Sequence, residues 1–208
     1  MDPRETSRLL LELSAATLGE SGGSPLESAV RAIWPGARLA APAYPVRCGE
    51  ADNLALHVAV TRAPAGSALV VEPGLERKRG FFGEVLCVAC QARGLAGLVI
   101  DGGVRDVSAL AARGFPVFAT GIELRGASKK LAGAVGSRAR VGGVDVLFGD
   151  WVVGDADGVV VVPSAALERV LAAARARAAN EKRIFAELAQ GRSTLELLAL
   201  DASLIEGC

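Results

Sequence analysis

Short apolar runs with two different periods alternate along the first two thirds of the chain and predict alternating helices and strands. Residues 83–92 are apolar around most of a helical circumference, which indicates a buried helix. Residues 96–100 show no polar alternation, as is typical of a strand covered on both faces. Residues 101–104 then predict a tight glycine turn. This order places Arg105 and Asp106 at the carboxyl end of a buried strand.

The same patterns predict the other elements. The predicted helices are 6–18, 25–34, 52–61, 106–113, 165–190 and a short one opened by a capping box at Ser193. The predicted strands are 43–48, 68–71, 116–119, 138–141, 144–147, 151–154 and 158–162. The last four strands are closely spaced, which favours antiparallel hairpins. Together the elements predict an α/β protein with a layered β/β/α sandwich.

Length and composition favour one domain, residues 1–208. The chain has 208 residues, of which 51% are apolar and 25 are glycine, enough for a single core. The N-terminal helices, about 4–34, and the C-terminal helix, about 164–190, are expected to pack on this core or on neighbouring subunits.

Charge and cysteine content narrow the class of protein. Acidic and basic residues balance at 23 each, so no overall field attracts nucleic acid or a membrane surface. No apolar run reaches the length of a membrane span, and the first ten residues lack the blocks of a signal peptide. The four cysteines show neither a disulfide framework nor zinc-ligand spacing. We therefore expect a cytoplasmic protein that binds neither nucleic acid nor membrane.

Three features invite a functional interpretation, and each has a structural alternative. Cys87 and Cys90 spell CxxC, but they lie inside an apolar helix and not at its start, where a thiolate is stabilised. His57, the only histidine, sits in the middle of a helix, where a packed ring bonded to one carbonyl is commoner than a catalytic one. The acidic turn 155–158 lacks the ligand spacing of an EF-hand, so it is interpreted as turn chemistry.

Candidate chemistry concentrates at the two ends of the stretch from Gly83 to Asp106. The helix start at residues 83–86 offers free backbone N–H groups, which attract an anion. Arg105 and Asp106 are expected near the same sheet edge. An acidic group, an arginine and an anion-binding helix start predict a site for one small acidic ligand, with or without a metal. Asp101 is a further candidate ligand, although a bond to turn amides is favoured.

Glu84, twenty intervening residues and then Arg105-Asp106 resemble the acidic-x20-Arg-Asp signature of the RraA-like family. That family includes 4-hydroxy-4-methyl-2-oxoglutarate and 4-carboxy-4-hydroxy-2-oxoadipate aldolases. Other segments resemble the family in family order: 52–57, 83–86, 94–106, 114–118, 149–150 and 154–159. Two departures stand out, Glu84 where several aldolases carry Asp, and a loop at 147–150 without a common proline.

The resemblance implies a swivelling-domain-like fold, assembled as a homotrimer or a dimer of trimers with sites between subunits. It implies Mg²⁺ or Mn²⁺ held by Asp106, and Arg105 beside the oxygen of a pyruvate enolate. The amides of Gly83, Glu84, Val85 and Leu86 are expected to hold the substrate carboxylate. Glu84 is expected to orient a metal-bound water, and its structural alternative is an acid favoured by the helix dipole. Glu181 is expected to reach the site of a neighbouring subunit, and its alternative is a solvated residue on an amphipathic helix.

The expected function is a divalent-metal-dependent, class II-type pyruvate aldolase acting on a small α-keto acid. Cleavage of either family substrate gives pyruvate and a second keto acid, and the same enolate permits oxaloacetate decarboxylation. The alternative is a non-catalytic regulator that binds ribonuclease E, because such family members share the acidic-x20-Arg-Asp signature.

Overall fold

A curled mixed sheet forms the centre of the computed structural model, which describes residues 2–205. The strands are β1 (Ser24–Pro25), β2 (Arg31–Ala32), β3 (Leu39–Arg47), β4 (Ala68–Glu72), β5 (Gly80–Phe82), β6 (Gly97–Val104), β7 (Val117–Ile122), β8 (Ala134–Val135), β9 (Arg138–Val141), β10 (Val144–Leu147), β11 (Trp151–Gly154) and β12 (Val159–Val162). The α-helices are α1 (Pro3–Leu11), α2 (Ala15–Glu20), α3 (Leu54–Arg62), α4 (Glu84–Ala92), α5 (Val107–Ala112), α6 (Leu167–Leu188) and α7 (Thr194–Leu197). Short 3₁₀ turns lie at Ser164–Ala166 and Ala202–Leu204.

Parallel strands make the middle of the sheet and antiparallel strands extend it. β3, β4, β6 and β7 are parallel neighbours in that order. β11 pairs antiparallel with β3, and β12 with β11. The short strands β1 and β2 close the two edges, while β9 and β10 form a separate hairpin. The predicted hairpins β9–β10 and β11–β12 are thereby confirmed.

The side chains of β4 show how the layers form. Leu69 and Val71 point into a core shared with α3 and α4, whereas Ala68 and Val70 point into a second core shared with β9 and β10. A third core joins α1, α2 and α6 to the outer face of β11 and β12. Because both faces of the parallel strands are buried, they carry no polar alternation. The layered β/β/α sandwich is confirmed.

The N-terminal helices are only partly as predicted. The prediction of a single helix over 6–18 is wrong, because α1 ends at Leu11 and Ser14 then caps α2 by accepting from the Thr17 amide. The prediction of a helix over 25–34 is also wrong. Pro25 pairs with β12 and residues 31–32 pair with β7, while the Glu27 amide donates to Gly142 O in the turn between β9 and β10. Pairing with a sheet edge has overridden a weak local helix preference.

Gly102 and Gly103 lie inside β6 and do not form the predicted turn. Both are buried, and each faces a close neighbour that leaves no room for a side chain. A Cβ at Gly102 would meet Pro73 Cγ at 2.9 Å, and one at Gly103 would overlap Glu123 and lie 2.6 Å from Arg79 O. The glycines therefore serve close approach of the chain and not reversal of its direction.

The remaining predictions hold with small shifts of boundary. α4, α5, α6 and the Ser193 capping box are present, but β3 is longer than predicted and strands β5 and β8 were missed. Of the cysteines, Cys48, Cys87 and Cys90 are free, and Cys208 lies outside the described residues. Within residues 2–205, no helix is both long enough and apolar enough to cross a membrane.

Gly103→Ala should lower the free energy of unfolding by about 1–3 kcal/mol, because a methyl group there must displace Glu123 and the Arg79 carbonyl. Gly121 is its partner across β6 and β7 and has open space around it, so Gly121→Ala is the matched control. Urea unfolding of both variants measures the difference. Equal stability of the two would show that close approach at Gly103 is not a constraint.

Candidate functional site

One cavity of about 260 Å³ collects the ends of several elements. The start of α4, the end of β6, the strand β5 and the start of α3 meet there. The lining residues are Asn53, His57, Gly80, Phe81, Gly83, Val85, Leu86, Arg105, Asp106, Gly126, Ala127 and Lys129. The sequence-predicted residues Gly83, Val85, Leu86, Arg105 and Asp106 are therefore brought together.

Asp106 takes a left-handed backbone conformation, with φ 59° and ψ 35°, and it is the residue before α5. Its Oδ2 accepts a hydrogen bond from the Glu84 amide at 3.0 Å, and Arg105 Nε lies 3.7 Å from the same oxygen. Gly83 makes this contact possible, because a Cβ there would overlap Oδ2 of Asp106. The end of β6 and the start of α4 are thus locked together through one carboxylate oxygen.

The first turn of α4 carries backbone donors with no partner inside the helix. Helix geometry leaves the amides of Val85 and Leu86 without an intrahelical acceptor, and the N-cap residue Gly83 has no side chain to accept from them. Both residues line the cavity, and Val85 is 78% exposed. The helix start can therefore hold an anion, as its sequence indicates.

Two predicted acidic residues have partners of their own. The Glu84 carboxylate accepts from Arg113, at 3.0 Å from Nε and 2.7 Å from Nη2, while the Glu84 backbone contacts Asp106. Glu181 lies on the largely exposed second half of α6, with Oε1 3.1 Å from Arg177 Nε. Neither Glu84 nor Glu181 is among the residues that line the cavity in the described part of the chain.

Lys129 reaches the cavity from the loop after β7, and sequence reasoning missed it. The buried Asp52 holds this loop, because its Oδ2 accepts from the Ser128 hydroxyl and from the amides of Lys130 and Leu131. Burial alone would raise the pKa of Asp52, but these hydrogen bonds, with one from Leu54, outweigh it and lower the pKa to about 2. A charged Asp52 therefore fixes Lys129 over the cavity.

Asn53, also missed, and His57 carry buried polar atoms that lack a partner within residues 2–205. Asn53 Nδ2 donates to Phe81 O at 2.7 Å, which leaves Oδ1 unpaired. His57 Nε2 is unpaired as well, so the expected bond from a packed ring to a carbonyl is not seen at that nitrogen. Burial lowers the pKa of His57, Lys129 lowers it further, and Asp52 opposes them. In the sequence, the only indication that Asn53 and His57 belong to the site is that they are polar residues near a helix start in an apolar segment.

The donor set at Asp106 fits a hard divalent cation with few protein ligands. Oδ2 receives the Glu84 amide, and within the described chain no donor is hydrogen-bonded to Oδ1. The Asp106 side chain is 41% exposed, so water or a ligand can complete the coordination. Mg²⁺ commonly binds through one or two carboxylates with water in the other positions. Within residues 2–205, no group of three or more His, Cys, Asp or Glu side chains is placed to hold a metal ion, so an ion at Asp106 would have few protein ligands.

The other candidates have structural roles. Asp101 is buried and accepts from Arg77 Nη1 at 2.7 Å and from the Gly142 amide at 3.1 Å. Asp155 accepts from the Ala15 and Asp157 amides, which is turn and cap chemistry. Burial raises the pKa of the Cys87 and Cys90 thiols, that of Cys90 to about 12, so neither is a thiolate at neutral pH.

The chain belongs to the Aldolase/RraA family, whose RraA-like model matches residues 13–161. A relative from Halalkalibacterium halodurans, named "Putative 4-hydroxy-4-methyl-2-oxoglutarate aldolase", is 32% identical over 161 residues, which cover 77% of each chain. A relative of the same name from Burkholderia mallei is 35% identical over 131 residues, which cover 63% of this chain and 79% of that one.

Solved structures share the fold. An uncharacterised protein from Pseudomonas syringae superposes with a TM-score of 0.85 at 24% identity, over 94% of this chain and 93% of that one. The RNA-processing inhibitor RraA from Thermus thermophilus gives a TM-score of 0.65 at 26% identity, over 72% of this chain and 92% of its own. The predicted family and fold class are both confirmed.

Gly83→Ala should weaken Mn²⁺ binding at least about tenfold, because its methyl group pushes the Asp106 carboxylate out of place. Gly126 also lines the cavity, but a Cβ there would lie 3.5 Å from Arg105 Nη1, an ordinary contact, so Gly126→Ala is the matched control. Calorimetric titration with Mn²⁺ compares the two. Unchanged affinity in Gly83→Ala, or equal losses in both, would argue against Asp106 as the metal ligand.

Proposed function

We propose that the protein is a divalent-metal-dependent lyase that cleaves a 4-hydroxy-2-oxo diacid to pyruvate and a second keto acid. The observation that carries this proposal is the convergence of Arg105, Asp106 and the start of α4 on one cavity of about 260 Å³. The names of relatives at 32% and 35% identity support aldol cleavage of 4-hydroxy-4-methyl-2-oxoglutarate. 4-Carboxy-4-hydroxy-2-oxoadipate belongs to the same substrate class.

The chain can bind and orient the α-keto acid end of such a substrate. The amides of Val85 and Leu86 receive the carboxylate next to the keto group, helped by the positive end of the α4 dipole. Lys129 adds a second positive charge on the cavity wall, suited to the other carboxylate of a diacid. The protein as a whole has zero formal net charge, so this preference for anions is local to the site.

Arg105 stabilises the charge that develops during bond cleavage. When the C3–C4 bond breaks, its electron pair passes into a pyruvate enolate, and negative charge grows on the oxygen at C2. A guanidinium beside Asp106 faces that oxygen with a permanent positive charge. This charge stabilises the transition state more than the bound substrate, and so it lowers the barrier. Oxaloacetate loses CO₂ through the same enolate, so decarboxylation is part of the proposal.

Asp106 is the residue that would hold Mg²⁺ or Mn²⁺, and Glu84 would orient a water near it. The ion, when bound, acts as a Lewis acid that polarises the keto group. The Arg113 guanidinium keeps the Glu84 carboxylate in place beside the start of α4. Asp106 itself is kept in place by the Glu84 amide, so the metal ligand and the carboxylate-binding helix cannot move independently.

We further propose a homotrimer or a dimer of trimers with the site between subunits. The cavity is open at Val85, and large apolar side chains are exposed nearby on β7 and after it, Ile122 at 61% and Leu124 at 85%. The second half of α6 also exposes Phe185 at 62%. A neighbouring subunit that covers these side chains gains hydrophobic free energy and can bring Glu181 to the cavity.

Asp106→Ala should abolish pyruvate release from both oxaloacetate and 4-hydroxy-4-methyl-2-oxoglutarate, with a fall of at least about 1000-fold in kcat/KM. The assay uses EDTA-treated protein to which Mg²⁺ or Mn²⁺ is restored, with protein-free blanks because metal ions alone decarboxylate oxaloacetate. Asp157→Ala removes an exposed carboxylate outside the cavity and is the control, which should keep full activity.

Full activity in Asp106→Ala would contradict the assignment. Absence of metal-dependent release by the unaltered protein, from either compound, would favour a second candidate, a regulator that acts by binding a ribonuclease. Similarity to the T. thermophilus RNA-processing inhibitor RraA supports that candidate.

Mixed oligomers test the role of Glu181. Glu181→Gln and Asp106→Ala chains, each inactive alone, should regain activity when co-expressed and co-purified through two different tags. About one third of full activity is expected for a trimer, because each mixed trimer has one intact site in three, and about a quarter for a dimer of trimers, where pairing is close to random. Recovery near zero would place both residues in the same subunit's site. Full activity of Glu181→Gln alone would exclude Glu181 from catalysis.

A further inference from the structure

His57 lines the same cavity as Arg105 and Asp106, yet the reaction proposed above gives it no task. It lies near the start of α3, four residues after Asn53, so the two side chains share one face of the helix. Aldol cleavage also requires a base to take the proton of the C4 hydroxyl. Among this subunit's own lining side chains, Arg105 and Lys129 are donors only and Asp106 is assigned to the metal, so His57 is the one with a lone pair able to take a proton.

The unpaired buried atoms of Asn53 and His57 complement each other. Asn53 is only 6% exposed, and its Oδ1 must act as an acceptor because Nδ2 already donates to Phe81 O. His57 Nε2 is buried and has no partner within residues 2–205. The i, i+4 spacing makes the two side chains neighbours on the helix, and the terminal torsion of a histidine ring has a broad minimum, so rotation of the ring would allow a hydrogen bond from Nε2–H to Oδ1. That bond would satisfy both atoms and leave Nδ1 free to accept a proton.

The surroundings of His57 keep its ring neutral at neutral pH. Burial lowers the pKa of His57, the Lys129 ammonium lowers it further, and Asp52 at the start of α3 raises it by less. Arg105 and Asp106 are the other charged groups on the cavity wall, and they carry opposite charges. A neutral imidazole can accept a proton, whereas a charged one cannot.

We propose that His57 is the general base of the aldol cleavage, with Asn53 as the residue that positions its ring. His57 Nδ1 takes the C4 hydroxyl proton as the C3–C4 bond breaks, and the C4 oxygen becomes the carbonyl of the second keto acid. The electron pair of the broken bond forms the pyruvate enolate. The imidazolium then returns the proton to C3, which gives pyruvate and restores the base.

The inference rests on the proposed lyase function and separates its two reactions. Oxaloacetate loses CO₂ without any hydroxyl proton to remove, and water can protonate the resulting enolate. His57 should therefore matter for cleavage of 4-hydroxy-4-methyl-2-oxoglutarate and not for decarboxylation of oxaloacetate. A merely structural role would affect both reactions alike.

The test compares His57→Gln with Arg62→Gln, an exposed residue on the same helix that does not line the cavity. With Mg²⁺ restored, His57→Gln should lower kcat for aldol cleavage about 100-fold and change decarboxylation by less than about threefold. The cleavage rate of the unaltered protein should fall as pH drops through the pKa of His57, and the variant should lack that inflection. Arg62→Gln should leave both rates and the pH profile unchanged.

A second measurement needs neither metal nor turnover. His57 is the only histidine of the chain, so with a histidine-free purification tag its imidazole NMR signals need no assignment. Their titration in the metal-free protein should give a pKa below the ordinary value of about 6.5.

Equal losses in both reactions, no loss in cleavage, or a pKa at or above the ordinary value would overturn the role of His57. If the unaltered protein catalyses neither reaction, the lyase proposal itself fails, and this inference fails with it. That outcome is distinct, because it appears before any variant is made.

Discussion

The hydrogen bond between the Glu84 amide and Asp106 Oδ2, 3.0 Å long, joins two elements that the candidate site needs together. It holds the start of α4, proposed to bind an anion, against the carboxyl end of β6. The contact requires a residue without a side chain at Gly83 and a left-handed backbone at Asp106. The Arg105 side chain lies against Gly83 and the Asp106 carboxylate, and these two contacts position its guanidinium. The geometry of the site therefore follows from packing at one sheet edge.

The start of α4 and the end of β6 could be predicted from the sequence because short local patterns indicate both. A glycine before an apolar helical run marks the start of α4, and an Arg-Asp pair after an apolar run marks the end of β6. Prediction failed where contacts between residues distant in the chain determine the secondary structure. Gly102 and Gly103 predict a turn, but neighbouring segments approach them closely, and the chain continues as β6 with a shift of register against β7 between Ile100 and Gly103. Likewise, residues 25–34 favour a helix by themselves and become strand partners only because β12 and β7 offer open edges at the two sides of the sheet.

Lys129 and Asn53, which the sequence analysis missed, are held at the cavity by contacts between residues far apart in the chain. Lys129 stands over the cavity because Asp52, far away in the chain, binds its loop through Oδ2. Asn53 turns its amide to the Phe81 carbonyl of β5, a strand that no sequence pattern indicated. One sequence carries no sign of these pairings, although Asp52, Asn53 and His57 lie in one short segment. A balanced total charge likewise conceals a cavity whose wall carries two cations and one carboxylate.

Formation of a pyruvate enolate at Arg105 and Asp106 is the central claim, and exchange of the pyruvate methyl protons measures it most directly. Pyruvate is incubated in D₂O with EDTA-treated protein, with and without restored Mg²⁺, and the methyl signal is followed by ¹H NMR. The account predicts loss of the signal that requires both protein and metal and is absent in Arg105→Ala. A methyl signal that persists at the rate of the protein-free solution would contradict enolate chemistry at this site.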